Sequence, residues 1–432
     1  MAPGELERLQ AKIVRLHGLI ETAALITSSL ELEDVLRLVL ERAQEVANAE
    51  ASSILLYNPA TQRLEFEVAL GEKGGLVQSL RKQITFALGQ GIVGTVAQTR
   101  EPIWVADAAA DPRVAKHVDA NTGFVTRNVL CAPLLVHDRL IGVAEVMNLA
   151  YPERCGPDEV EIFASFCRQV AIAIENARLH RDIVAQERER QQLEFASVIQ
   201  QSFLPSHFPT CPSGRFQVEA RSVPATMVGG DFYDFPSRGD DWLALAVGDV
   251  SGKGVPAALF MAKLLSDLRS TAQRHCGPGE VLGGLNDLLA GQAQRGMFVT
   301  LQYLLLDGGS GTVQAANAGH VPLIHYRART GEIDTVDLPG GPPLGILAPV
   351  TYPETRLSLE PGDRLVLLTD GVTEATNAQG EAFGWDRLTA IVDQAARTDG
   401  LLVGRVMDAI TEFTAGGTRR DDLTLLELRW CG

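Results

Sequence analysis

The sequence predicts an α+β protein built from a smaller mixed unit and a larger layered sandwich, joined by a helical linker. Three observations predict it. Residues 172–203 keep a helical pattern almost without a break, and their middle (186–192, QERERQQ) is too polar for any core. Ahead of them, strand-length runs are mixed with amphipathic helical stretches. Behind them, apolar strand runs dominate and the helices come grouped, which favours a sandwich over a doubly wound sheet. The chain has 432 residues, room for two or three domains of roughly 100–200 residues each.

In chain order, residues 1–19 read as a helix that suits pairing of two chains. Leu9, Ile13, Leu16 and Ile20 fall on one face, at spacings of four, three and four. The first unit spans 20–177. It opens with a helix over 35–47, whose apolar face is broad. Strands over 51–57 (ASSILLY) and 63–70 (RLEFEVAL) flank an Asn58-Pro59 turn. A glycine-rich stretch over 88–94 leads into a short helix. Strands over 129–136 and 140–147 meet at His137-Asp138-Arg139, and a long helix covers 159–177. The linker spans 178–204. Ile172, Leu179, Ile183 and Leu193 give it a weak coiled-coil seam, interrupted by Asn176, Gln186 and Arg190. It reads either as an inert spacer or as a helix that passes dimer geometry between domains. Leu204-Pro205 and Phe208-Pro209 end it, since proline cannot continue a helix. In the second unit, 205–432, strands fall at 216–222, 242–250, 298–306, 312–316, 323–327, 364–369 and 423–430. Its helices fall at 255–274, 278–290, 385–396 and 401–413.

Composition narrows the function classes. A hydrophobic fraction of 46% and a charged fraction of 21% are those of a globular chain. The net charge of −16 argues against a nucleic-acid partner, which demands a basic patch, and no polybasic run addresses a membrane. Cys131, Cys155, Cys167, Cys211, Cys276 and Cys431 form no CxxC pair, so reduced thiols are expected. The opening MAPGELERLQ has no export-signal pattern, and no apolar run approaches the ~18 residues of a membrane helix, so a cytoplasmic location is expected.

Four acidic motifs carry the chemistry: GGDFYD around Asp231, GDVSGKG around Asp249, TDGVTE around Asp370 and RRDDLT around Asp421. Asp249 ends the apolar run LALAV, Asp370 follows RLVLL, and Asp421 precedes LTLLEL. Any one Asp-Gly is an ordinary turn signal. Four acids at the rims of buried strands can converge on one place. Converging carboxylates cannot all stay ionised without a cation. An all-oxygen donor set selects a hard ion, Mg²⁺ or Mn²⁺. Two such ions suit hydrolysis of a phosphate ester by in-line attack of water.

The stretch from about 203 to 430 resembles the PPM-type (type 2C) serine/threonine phosphatases, in their SpoIIE-like, RsbU-type branch. The matching pieces are Phe203-Leu204-Pro205, the four acidic motifs, Asn317-Ala318-Gly319-His320 and Pro343-Leu344-Gly345, in the family's order. The resemblance implies an αββα sandwich holding two ions. Asp249 would bridge them, with the Val250 carbonyl completing the second ion's shell. Asp370 and Asp421 would ligate the first ion, and Asp231 would serve as an accessory acid. Asp249, Asp370 and Asp421 are thus the expected catalytic set. Gly371 and Asp422 would shape the surroundings, and His320 would hold a loop beside the site or act as a general acid. The implied substrate is a phosphoserine or phosphothreonine on a STAS-type anti-sigma-factor antagonist in bacterial signalling; the two apolar helical seams separately predict a homodimer.

Residues 20–177 resemble GAF domains in element order and in Gly89-Gln90-Gly91-Ile92-Val93-Gly94, Val105-Ala106-Asp107-Ala108, Asp111-Pro112-Arg113 and Leu140-Ile141-Gly142-Val143. The cyclic-nucleotide signature is incomplete: Leu149 follows Asn148, Cys155 replaces an aromatic, and only Asp158-Glu159 remains. The GAF ligand is therefore left open. Two rival readings stay beside the phosphatase: a catalytically silent scaffold, and a small-molecule phosphatase or nucleotide-binding regulator. No GxxxxGK[ST] loop supports nucleotide hydrolysis.

Overall fold

The computed structural model describes residues 32–75, 77, 84–211, 213–239, 241–290, 296–398, 400–417 and 419–432. The expected helix over 1–19, with its Leu9–Ile20 seam, lies outside the described residues. The chain divides into two compact units, residues 1–188 and 189–432.

The first unit is built on one antiparallel sheet. Its strands are β1 (Ala49–Asn58), β2 (Arg63–Leu70), β3 (Thr85–Ala87), β4 (Ile103–Val105), β5 (Val129–Val136) and β6 (Arg139–Leu149), in the order β3-β2-β1-β6-β5-β4. Helix α1 (Leu32–Ala47) and the first turns of α4 (Pro157–Phe203) cover one face. Leu36, Leu40, Phe166 and Ile174 pack there on Ile54, Leu134 and Val146. Helix α2 (Gly91–Thr99) covers the other face, where Ile92, Val93 and Val96 meet Leu55, Phe66 and Val143. A short helix, α3 (Lys116–Thr122), completes this unit. Alternation explains the two cores: Ile54 and Leu55, adjacent in β1, point to opposite faces.

The two helices read over 159–177 and 172–203 are one continuous helix, α4. Its buried side chains stop at Ala177. Beyond that point Leu179, Ile183, Phe195, Val198 and Ile199 are all more than half exposed.

The second unit is a sandwich of two sheets between two helix pairs. One sheet runs β14 (Gly340–Gly341), β11 (Thr312–Ala318), β10 (Val299–Asp307), β9 (Trp242–Val250), β8 (Phe232–Asp234), with β15 (Glu354–Ser358) also on β11. The other runs β13 (Glu332–Val336), β12 (Leu323–Arg327), β16 (Arg364–Leu368), β17 (Leu423–Trp430), β7 (Phe216–Val223). Strand β9 shows why the layers form. Leu243, Leu245 and Val247 face the second sheet, against Leu365, Leu367, Leu426 and Leu428. The intervening Ala244 and Ala246 face α5 (Val255–Arg274) and α6 (Pro278–Ala290), where small side chains let Met261, Leu265 and Leu285 approach. On the opposite side, Val366, Leu368, Leu423 and Leu425 bury α8 (Gly384–Ala396) and α9 (Val403–Phe413). This is the αββα arrangement that the resemblance implied. All six cysteines are unpaired. Among the described residues no helix is long and apolar enough to cross a membrane.

Candidate metal centre of the sandwich

Two acids of the candidate site come from each sheet. Asp231 precedes β8 and Asp249 is the next-to-last residue of β9; Asp370 follows β16 and Asp421 precedes β17 by one residue. Asp370 opens a five-residue helix, α7 (Asp370–Glu374), where the sequence suggested only a turn. The rigid strand ends bring all four together, and their electrostatics record it. Burial, then the charges of Asp370 and Asp421, push the Asp249 carboxyl up to about 7, against a hydrogen bond with Asp231 that pulls it down. Burial and the Asp249 charge hold Asp231 well above the usual carboxylate range, and burial with Asp421 raises Asp370.

Each acid has a local partner. Thr369 Oγ1 donates to Asp231 Oδ2 at 2.6 Å and accepts the Thr424 N–H at 3.1 Å, which ties one sheet to the other. Lys253 Nζ donates to Asp421 Oδ2 at 3.1 Å and also to the Arg420 carbonyl. Gly230 packs against both Asp249 and the Val250 carbonyl: a Cβ there would lie 2.6 Å from that oxygen and 3.0 Å from Asp249 Oδ1. Asp422 has a different task. Its carboxylate accepts the N–H groups of Ala225 and Gly230, both at 2.7 Å, and so fixes the loop leading to Asp231. Gly371 passes so close to the Asp422 carbonyl that a Cβ would sit 1.9 Å from it.

His320 is a brace. Its Nε2 lies 3.0 Å from the Leu368 carbonyl and its Nδ1 2.8 Å from Thr300 Oγ1. Burial pushes its pKa down to about 4, so the ring is neutral near pH 7. Nε2–H donates to Leu368, and Nδ1 accepts from Thr300. That joins the ends of β10 and β16 and leaves no proton for acid catalysis.

Among the described residues, no group of three or more His, Cys, Asp or Glu side chains forms a ready metal cage. Asp231 and Asp421 are turned instead toward Thr369 and Lys253. The donor set nevertheless fits hard cations. It is all oxygen, it is acidic, and burial together with neighbouring carboxylate charges raises the Asp249 and Asp370 carboxyls.

Sequence reasoning assigned no role to Thr369, although it stands in a quoted motif. Nor did it separate Asp234 from the site. Asp234 is paired through both oxygens with Arg269 of α5, at 2.8 and 3.0 Å, away from the acid cluster. Spacing gave no signal for either contact, since Thr369 and Asp231 are 138 residues apart.

Comparison with known proteins finds likenesses in both units. Residues 239–431 match the family of stage II sporulation protein E (SpoIIE), and residues 29–175 match the GAF domain family. The chain is 30% identical over 286 residues to Protein IcfG of Synechocystis, covering 57% of this chain and 43% of IcfG. It is 28% identical over 287 residues to phosphoserine phosphatase RsbU of Bacillus subtilis, covering 66% of this chain and 84% of RsbU. The SiaA-PP2C domain of Pseudomonas aeruginosa superposes with a TM-score of 0.50 at 24% identity, over 57% of this chain and 98% of that domain, a likeness of fold. The larger unit is thus similar to the SpoIIE family and to the phosphatase RsbU, and the smaller unit to GAF domains. The chain spans less than half the length of IcfG and most of the length of RsbU.

Proposed function

We propose that this chain is a divalent-metal-dependent protein serine/threonine phosphatase controlled by its GAF domain. The observation that carries the proposal is the convergence of Asp231, Asp249, Asp370 and Asp421 from two sheets, where burial and then the charges of Asp370 and Asp421 push the Asp249 carboxyl up to about 7. Asp231, Asp249, Asp370, Asp421 and the Val250 carbonyl would hold two Mn²⁺ or Mg²⁺ ions. When bound, the ions supply Lewis acidity that activates water and neutralises charge on the phosphoryl group. The chain's own part is placement. Thr369 and Asp422 fix the Asp231 loop, and His320 braces the strand end that leads to Asp370. We infer direct hydrolysis without a phospho-enzyme, because the aspartates of the cluster are read as metal ligands rather than as nucleophiles.

The similarity to a phosphoserine phosphatase supports a phosphoserine or phosphothreonine substrate. We infer a phosphorylated STAS-domain anti-sigma antagonist as that substrate, in a cytoplasmic signalling pathway. The assignment places the GAF domain at 20–177, the linker at 178–204 and the phosphatase domain at 205–432. The exposed apolar side chains of α4 beyond Ala177 support a homodimer joined along the linker. The GAF ligand is not assigned.

The test is p-nitrophenyl phosphate hydrolysis with EDTA, Mg²⁺ or Mn²⁺, beside Asp249→Asn. Metal-dependent turnover that drops at least ~100-fold in the variant is expected, the scale of losing one preorganised charge-stabilising group. Full turnover in Asp249→Asn overturns the site. Inserting two residues beside Gln192 should change turnover if the linker transmits a signal, and sedimentation should show a dimer.

A further inference from the structure

The last turn of α4 is bonded to the backbone that leads into the acid cluster. The Gln200 side-chain amide brackets a single residue of that backbone. Its Nε2 donates to the Gly229 carbonyl at 2.5 Å, and its Oε1 accepts the Gly229 N–H at 3.1 Å. On its other side the same loop is gripped by Asp422, which accepts the Gly230 N–H at 2.7 Å. The fit is close: a Cβ on Gly229 would lie 2.0 Å from Asp422 Oδ2. Asp231 is the next residue along, so the chain reaches it through a span clamped between a helix side chain and a sheet carboxylate.

A second tie holds the far end of this segment. The carbonyl of Phe203, the last residue of α4, accepts Arg269 Nη2 at 2.8 Å. Arg269 in turn holds Asp234 at 2.8 and 3.0 Å, three residues after Asp231. One helical turn therefore grips the Gly229–Asp234 segment at both ends. Beside it lies a cavity of about 180 Å³ lined by Gln200, Gln201, Tyr233, Asp231 and Asp422.

We propose that Gln200 is a positioning residue that couples the phase of the linker helix to the place of the Asp231 carboxylate. This rests on the reading of the cluster as a phosphatase metal site. A primary amide pairs with one residue's N–H and C=O only in one orientation. A helix advances 100° per residue, so rotation by a single residue breaks both bonds together. The Gly229–Gly230 span is then held from the Asp422 side alone, and Asp231 keeps its bond to Thr369 and the β8 pairing that follows it.

The test uses the full chain. Mn²⁺ affinity is measured by calorimetry, kcat and KM for p-nitrophenyl phosphate at saturating Mn²⁺, and thermal unfolding without metal. The variants are Gln200→Met, of similar size without the amide, and Gln192→Met at an exposed position two turns earlier. Gln200→Met should weaken Mn²⁺ binding about tenfold, the usual scale for losing a group that orients a metal ligand, with little change in KM. Gln192→Met should match the wild type. Gln200→Glu keeps the acceptor for the Gly229 N–H and loses the donor, so it should fall between the two. It carries the test if Gln200→Met does not fold. Wild-type affinity in both Gln200 variants overturns the coupling while leaving the phosphatase reading intact. A wild-type chain that binds no Mn²⁺ and hydrolyses nothing overturns that reading, and the coupling with it.

Discussion

Glu145 in β6 and Glu427 in β17 are both acids inside a sheet, one in each domain, and they are neutralised in opposite ways. Glu427 accepts from Arg364 Nη1 at 2.7 Å and from the Leu402 N–H at 2.6 Å. Both members of the ion pair are almost fully buried. Glu145 has a single hydroxyl, Ser53 Oγ at 2.7 Å. Burial pushes its carboxyl up to about 7, with a further push from Asp119. Small cavities of about 70 and 60 Å³ border it. The larger domain thus locks a charge with a matching charge, whereas the smaller domain holds an acid whose charge changes near neutral pH. An internal ion pair is costly to break: burial raises the Glu427 carboxyl, and the Leu402 N–H and Arg364 pull it back down. A lone internal acid makes its domain pH-dependent.

The largest expected effect breaks the locked pair. Glu427→Gln leaves the Arg364 charge buried without its counter-ion and should destabilise the larger domain by about 3–5 kcal/mol. In urea unfolding its transition should move while that of the GAF domain stays. Next comes the titrating acid. Glu145 has a folded pKa above its unfolded one, so its contribution is complete below about pH 4.5 and is lost as pH rises through about 7. The loss between pH 4 and pH 8 is on the order of 3 kcal/mol. Glu145→Gln should remove that slope from GAF-domain melting curves, and an unchanged slope would assign it to other groups. A milder break is Arg269→Met, which strips the cation from Asp234, itself 3% exposed. Because Arg269 is partly solvated, the expected cost is about 2 kcal/mol. The smallest effect is Thr369→Val, which leaves the Thr424 N–H without its acceptor and should cost about 1 kcal/mol, with Thr369→Ser close to wild type. Chemical denaturation without metal measures both.

These contrasts also mark what could be read from the sequence. LALAV, RLVLL and LTLLEL announced β9, β16 and β17, because a strand buried on both faces carries its signal within a few adjacent residues. Helices α5 and α6 matched the expected 255–274 and 278–290 for the same local reason. The strands that escaped are short or lie at an edge: Phe232–Asp234 has three residues, and Glu332–Val336 (EIDTV) is polar where only one neighbour pairs with it. The helix opening at Asp370 was hidden because Asp-Gly competes as a turn. The four acids were legible because each sits beside a strong strand signal. The partners that orient them were not. Asp422 and Gly230 are 192 residues apart, and Gln200 and Gly229 are 29 apart. Only the folded chain juxtaposes them.

That the acids come two from each sheet has one more consequence. The apolar seam between the sheets is also a ruler. Any slip of one layer over the other, even by a fraction of a bond length, is read out at the rim as a change in the spacing between the Asp231–Asp249 and Asp370–Asp421 pairs. Side chains such as Leu245 and Leu367, buried in that seam, therefore help to set the spacing of the four carboxylates at its rim.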